Sequence, residues 1–114
     1  MRTVSLMSTA GSQAATNEAG NKVVTVEEKT HVTWQDVTSE GYFNRIRTLN
    51  RLNGEWSPIE TLGSARDDHA RAVLVADNAG FLHVILSGHN TACTYRRSKN
   101  ANDSSDWTAP VEVA

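Results

Sequence analysis

Two histidines stand at the ends of one patterned stretch, "DDHARAVLVADNAGFLHVILSGH", which runs from Asp67 to His89. An imidazole with an unperturbed pKa of about 6.5 can accept or return a proton at neutral pH, so His69 and His89 are candidates for acid–base work. Asp68 precedes the first of them, where a carboxylate favours the charged ring and burial disfavours it. Further on, "TYRRS" supplies Tyr95, Arg96 and Arg97. Strand alternation sends Tyr95 and Arg97 to one face and Arg96 to the other. An arginine fork matches a carboxylate in geometry and charge. Each residue also has a plainer reading: a loop cap for His69, turn formers for Asp67 and Asp68, and solvated strand surface for the arginines.

The elements around these residues read as strand and turn. "KVVTV" is β-branched, and "THVTWQD" alternates Val32 and Trp34 against His31, Thr33 and Gln35. "GYFNRIRTLNRL" is a long strand pattern, and the Asn-Gly of "NGEW" marks a turn before "WSPIETL". "RAVLVAD" is apolar nearly throughout, the pattern of a strand buried on both faces. "NAG" turns the chain into "FLHVILS", followed by "ACTYRRS" and "WTAPVEV". No segment keeps a 3.6-residue apolar period, so the expected class is all-β.

The strands repeat. With "THVTWQD" laid over "LHVILSG", an offset of 52, Val32 falls on Val84, His31 on His83, Arg45 on Arg97 and Pro58 on Pro110. Trp56 and Trp107 agree to within one residue. Each unit then holds four strands with a tryptophan opening the fourth. That is the size of a β-propeller blade of about 40–50 residues. The expected organisation is a leader or frayed segment over 1–20, a first blade over 21–63 and a second over 64–114. Propellers close with about 4–8 blades, so the expectation is a partial propeller, part of a longer polypeptide.

In an up-and-down blade, the connection into the first strand and the loop between the second and third strands emerge at the same end. "GSARDDH" is the former and "GHNTA" the latter, so His69 and His89 are expected at one rim. The repeat supplies a control, because the first unit has no histidine at either corresponding position; blade packing alone therefore does not require them. His31 and His83 match each other and read as framework residues between blades.

Bulk properties narrow the partners. A formal charge of −2 and a pI near 6.0 argue against nucleic acid or an anionic membrane. No apolar run reaches the roughly 18–20 residues of a membrane span, and residues 1–20 lack the apolar stretch of a signal peptide. Cys93 has no second cysteine to pair with, and no metal site or cofactor is expected from the spacing.

The stretch from Asp67 to Trp107 resembles the BNR-repeat propeller family that includes ulvan lyases. The resemblance is carried by Asp68-His69, "GFLH" from Gly80, Gly88-His89, "YRRS" from Tyr95, and Trp107, and it extends more loosely from Val24 to Ala114. It implies a seven-bladed propeller, secreted or periplasmic, with a carbohydrate groove on one face. It also implies β-elimination next to a uronic acid in an anionic polysaccharide. On this resemblance His69 and His89 are catalytic-site histidines, and Asp68, Tyr95 and Arg97 contact substrate. The family's catalytic tyrosine and main carboxylate-binding arginine lie in later blades, so the two blades alone are expected to be inactive without the remaining blades of the parent chain.

Two departures stand out. Asp68 occupies a place where asparagine is more usual in the family, and the turns "RLNGEW" and "NANDSSDW" are degenerate forms of the Asp-box. Asn102 and Asp106 are expected to staple the second of these turns through side-chain to backbone bonds. The competing function is a non-catalytic carbohydrate-binding or glycosidase-like propeller. A glycosidase would need a carboxylate pair, for which Asp67, Asp68 and Glu40 are the candidates.

Overall fold

A computed structural model describes residues 21–67, 71–88 and 90–113. Among them the strands are β1 (Val23–Val26), β2 (Lys29–Thr38), β3 (Gly41–Asn50), β4 (Glu55–Trp56), β5 (Glu60–Ala65), β6 (Ala72–Ala76), β7 (Leu82–Leu86), β8 (Thr94–Arg97) and β9 (Val111–Glu112). The described residues contain no helix, and so none long and apolar enough to cross a membrane. Two antiparallel sheets result, each a meander in chain order: β1-β2-β3 with both β4 and β5 on β3, and β6-β7-β8-β9.

Each fourth strand is broken at a proline. Trp56 pairs with Leu49, the ladder lapses at Ser57-Pro58-Ile59, and β5 resumes on β3. In the second sheet Trp107 bridges Ser98, Pro110 interrupts, and β9 resumes on β8. A proline has no N–H to donate to the ladder, which accounts for both gaps. Between β6 and β7, a glycine at φ +88 (Gly80) lets the chain turn while its N–H bonds the Asp77 carbonyl at 3.0 Å.

The sheets lie face to face around one core of Ile46, Leu62, Ala72, Leu74, Leu82, Val84, Leu86 and Trp107. Burying such side chains is worth about 1.5–3 kcal/mol each, which makes this layer the main stabilising term. Polar contacts cross the same seam. Arg96 donates to the Leu62 carbonyl at 2.7 Å, and Thr48 and Ser104 share a hydrogen bond at 2.6 Å. His31, fully buried, bonds Thr48 through Nδ1 at 2.6 Å and donates from Nε2 to Asn102 Oδ1 at 2.7 Å. The Asn102 amide nitrogen in turn donates to the Val26 carbonyl at 3.1 Å, which fixes which end of the amide faces the ring.

Three expectations change. β6 is not buried on both faces: Leu74 is fully buried but Val75 is 50% exposed, because no described residue covers that side of the second sheet. The repeat offset is not constant. His31 pairs with Thr48 and His83 with Arg97, so Thr48, not Arg45, occupies the place of Arg97. The cause is the first hairpin, whose two ten-residue strands close at Thr38↔Gly41, whereas β7 ends at Leu86 and a longer loop leads to β8. Finally, Asn102 does not staple its own turn through its side chain but reaches the first unit. Asp103 takes the local role by accepting from the Ser105 N–H at 2.9 Å, and Asp106 forms a loose surface pair with Lys99.

Candidate functional site

The site begins at the end of the second sheet where β6 starts and β7 stops. Ala72 pairs with Leu86, and just beyond them Arg71 and Ser87 are tied by three hydrogen bonds. Ser87 N–H donates to the Arg71 carbonyl at 2.7 Å, Arg71 N–H to Ser87 Oγ at 3.0 Å, and Ser87 Oγ to the same carbonyl at 3.1 Å. Arg71 and Ser87, each two residues in sequence from one of the two histidines, therefore stand side by side at this end of the sheet. Asp68, His69 and His89 themselves lie outside the described residues. On the near side, Gln35 of β2 donates to the Asp67 carbonyl at 3.0 Å, which moors the connection between the sheets to the first unit. On the far side the loop is tight: a Cβ on Gly88 would fall against Thr91, 2.7 Å from its carbonyl oxygen.

Tyr95 and Arg97 share the outer face of the second sheet, and Arg96 points inward to the seam, as alternation requires. The Tyr95 hydroxyl is bonded to His83 Nδ1 at 2.7 Å, and His83 Nε2 meets Asp77 Oδ2 at 2.8 Å. Asp77 Oδ1 also accepts from the backbone N–H groups of Ala79 and Phe81. The bond to His83 holds the Asp77 carboxyl below the usual carboxylate range. The Arg97 guanidinium stands 5.1 Å from the centre of the Phe81 ring. This carboxylate–imidazole–phenol chain was not legible in the sequence, where His83 reads only as a framework residue. The signal that could have exposed it is the longer turn that brings Asp77 within reach of the strand.

An arginine clamp from the third strand to the fourth is structural and repeats in both sheets. Arg47 donates to the Ser57 carbonyl from Nε at 3.1 Å, and Arg96 donates to the Thr108 carbonyl from Nε at 2.8 Å. Thr48 N–H donates to Ser57 Oγ just as Arg97 N–H donates to Thr108 Oγ1. Among the described residues no group of three His, Cys, Asp or Glu could hold a metal ion. At the opposite end of the sheets, a cavity of about 220 Å³ is lined by Trp56, Asn50, Asn53, Glu55 and Asp103.

Residues 25–114 match the BNR repeat-containing family. The chain belongs to that family. No curated protein matches the sequence. Both sheets lie within the matched residues, and each ties its third strand to its broken fourth strand by a tryptophan pairing and by an arginine.

Proposed function

We propose that this BNR-repeat chain supplies two neighbouring blades, the first running through β5 to Ala65, of a seven-bladed, secreted or periplasmic polysaccharide lyase resembling ulvan lyases. The observation that supports this reading is the triple tie between Arg71 and Ser87, which holds together the two strand ends that neighbour His69 and His89 in sequence. In the proposed reaction a base removes the C5 proton of a uronate while a cation or hydrogen-bond donor neutralises its carboxylate. The electron pair forms the C4–C5 double bond, the C4–oxygen bond breaks, and the departing oxygen takes a proton. One of His69 and His89 serves as the base or as the carboxylate neutraliser, and Asp68, Tyr95 and Arg97 contribute to the substrate surface. Titrating a uronate-containing oligosaccharide into protein carrying ¹⁵N-labelled histidine tests this. The ring signals of His69 and His89 move together while that of buried His31 stays; signals of both rim histidines unmoved at saturating sugar would contradict it.

A second reading, a carbohydrate-binding propeller without catalysis, is favoured by the cavity beside Trp56. An indole among amides, hydroxyls and carboxylates suits a sugar ring, and this cavity lies at the other end of the sheets from Ser87 and Gly88. Binding that is abolished by Trp56→Ala, with no elimination product, would favour it.

A further inference from the structure

Lys22 stands where the first strands of the two sheets meet. Residues 21–22 run beside β6: Leu74 N–H donates to the Asn21 carbonyl at 2.9 Å, and Asn21 Nδ2 donates to the Leu74 carbonyl at 3.2 Å. This pairing brings the Lys22 side chain to the start of β6, where Nζ donates to the Ala72 carbonyl at 2.5 Å. Arg71, the residue before Ala72, is the one tied to Ser87 at that end of the sheet. The two cations sit close together. Burial first, and the Arg71 charge second, hold the Lys22 ammonium below the ordinary lysine range. No carboxylate of the described residues pairs with Lys22. The repeat shows that the strand framework does not ask for this charge. Val23 pairs with Val32 as Leu74 pairs with Val84, so the second unit has Val73 where the first has Lys22. A half-buried ammonium kept against a second cation, with no counter-ion, costs folding free energy, and ionisable groups perturbed in this way cluster at binding sites.

We infer that Lys22, with Arg71 beside it, forms an anion subsite at the strand ends that neighbour the two histidines in sequence, and that it takes the carboxylate or sulfate oxygens of an acidic sugar. The choice of a sugar rests on the polysaccharide reading above; the subsite itself rests on the placement of the two cations. An ammonium has three donor hydrogens, and the Ala72 carbonyl takes one of them. Two remain for an oxyanion, in bonds that are shorter and stronger for being charge-assisted. An anion there offsets both influences that depress the ammonium, because it supplies the missing counter-charge and screens Lys22 from Arg71. A neutral sugar supplies neither, so the subsite discriminates by charge. Lysine is a point charge without the planar fork of arginine, which lets it accept a trigonal carboxylate or a tetrahedral sulfate. In a chain of formal charge −2 this is a local positive spot that attracts an anionic ligand despite the overall balance. The role of Lys22 is binding; the proton transfers of the proposed elimination stay with other groups.

The test uses the full chain with ¹³C-labelled lysine, titrated at constant ionic strength with methyl glucuronide, with a sulfated methyl hexoside and with neutral methyl glucoside. The expected result is a saturable shift of the Lys22 ε-methylene signal with one or both acidic sugars and none with the glucoside. A response to the glucuronide alone identifies carboxylate as the bound group, and a response to the sulfated sugar alone identifies sulfate. Lys22→Gln weakens binding of the acidic sugar by about 10-fold or more, the scale of one charge-assisted hydrogen bond, and Lys22→Arg keeps most of it. A Lys22 signal unmoved by both acidic sugars, an equal shift with the glucoside, or an affinity unchanged in Lys22→Gln would overturn the inference. If Lys22→Gln does not fold, the Lys22 shift in the unaltered chain decides the question alone. These monosaccharides carry no sugar on O4 and cannot undergo the proposed elimination, so an unresponsive Lys22 and a failed lyase assay are separate results.

Discussion

His31 Nε2 donates to Asn102 Oδ1 at 2.7 Å across 71 residues of chain, and this bond joins the two repeat units. The network is complete on both sides of the ring. The Asn102 amide is satisfied by Val26, and the Thr48 hydroxyl that bonds His31 Nδ1 also bonds Ser104. A buried polar network fully satisfied in this way fixes the relative position of the sheets more sharply than apolar packing alone.

Asn102→Gly removes the amide while keeping the left-handed backbone unstrained. It leaves the buried imidazole without an acceptor and lowers unfolding stability by about 1–3 kcal/mol. Paired with His31→Ala in a double-mutant cycle by urea denaturation, it shows a coupling of about 0.5–3 kcal/mol. Strictly additive losses would mean that the bond holds nothing.

Burial, its largest influence, holds the His31 imidazole below the ordinary histidine range, with the Asn102 bond acting in the opposite direction. The unfolded chain therefore takes up a proton near pH 6.5 that the folded chain resists, so stability rises with pH in that window. The contribution is complete above about pH 6.5 and is lost as pH falls toward the lower folded value. Asp77 and Asp103, both depressed carboxyls, add a similar loss only in more acidic solution, below about pH 4. Urea midpoints measured from about pH 7.5 to about pH 5 should decline, and His31→Gln should flatten the decline.

Leu74 and Leu82, fully buried between the sheets, carry the apolar part of the seam. Leu74→Ala costs about 2–5 kcal/mol, a large share of the roughly 5–15 kcal/mol available to a domain of this kind. Thermal unfolding followed by circular dichroism checks it; a loss under about 1 kcal/mol would show that the sheets do not share this core.

Gly88 is held against Thr91, so Gly88→Ala forces the loop that carries His89 to move. In the proposed lyase the change should reduce turnover by about 10–100-fold, because displacing a reacting group by an ångström has that effect. Urea denaturation of the same variant should show a much smaller change, since the position lies beyond the β7 ladder.

Much of the fold was legible because it rests on local pattern. Alternation in "THVTWQD", the Asn-Gly at Asn53, and the recurring tryptophan and proline gave the strands, the turn and the repeat. Non-local relationships were not legible. A fixed offset cannot register that β2 and β3 are longer than β7 and β8, so Arg45 was matched to Arg97 when Thr48 stands there. Nor does composition tell which face of β6 finds a partner: Leu74 and Val75 are adjacent apolar residues, one buried by the neighbouring sheet and the other half exposed. Asn102 and Asp77 belong to turns whose sequences suggest local caps, and only the stacking of the units sends one amide across a seam.

The central claim is elimination at a rim shared by His69 and His89, and turnover tests it most directly. The proposed seven-bladed lyase is incubated with ulvan while the ultraviolet absorbance of the unsaturated uronate product is followed. The account predicts a steady rise that falls by at least about 100-fold in both His69→Ala and His89→Ala, a scale set by general acid–base catalysis, while His83→Ala keeps most of it. Full turnover in the His69→Ala protein would contradict the account.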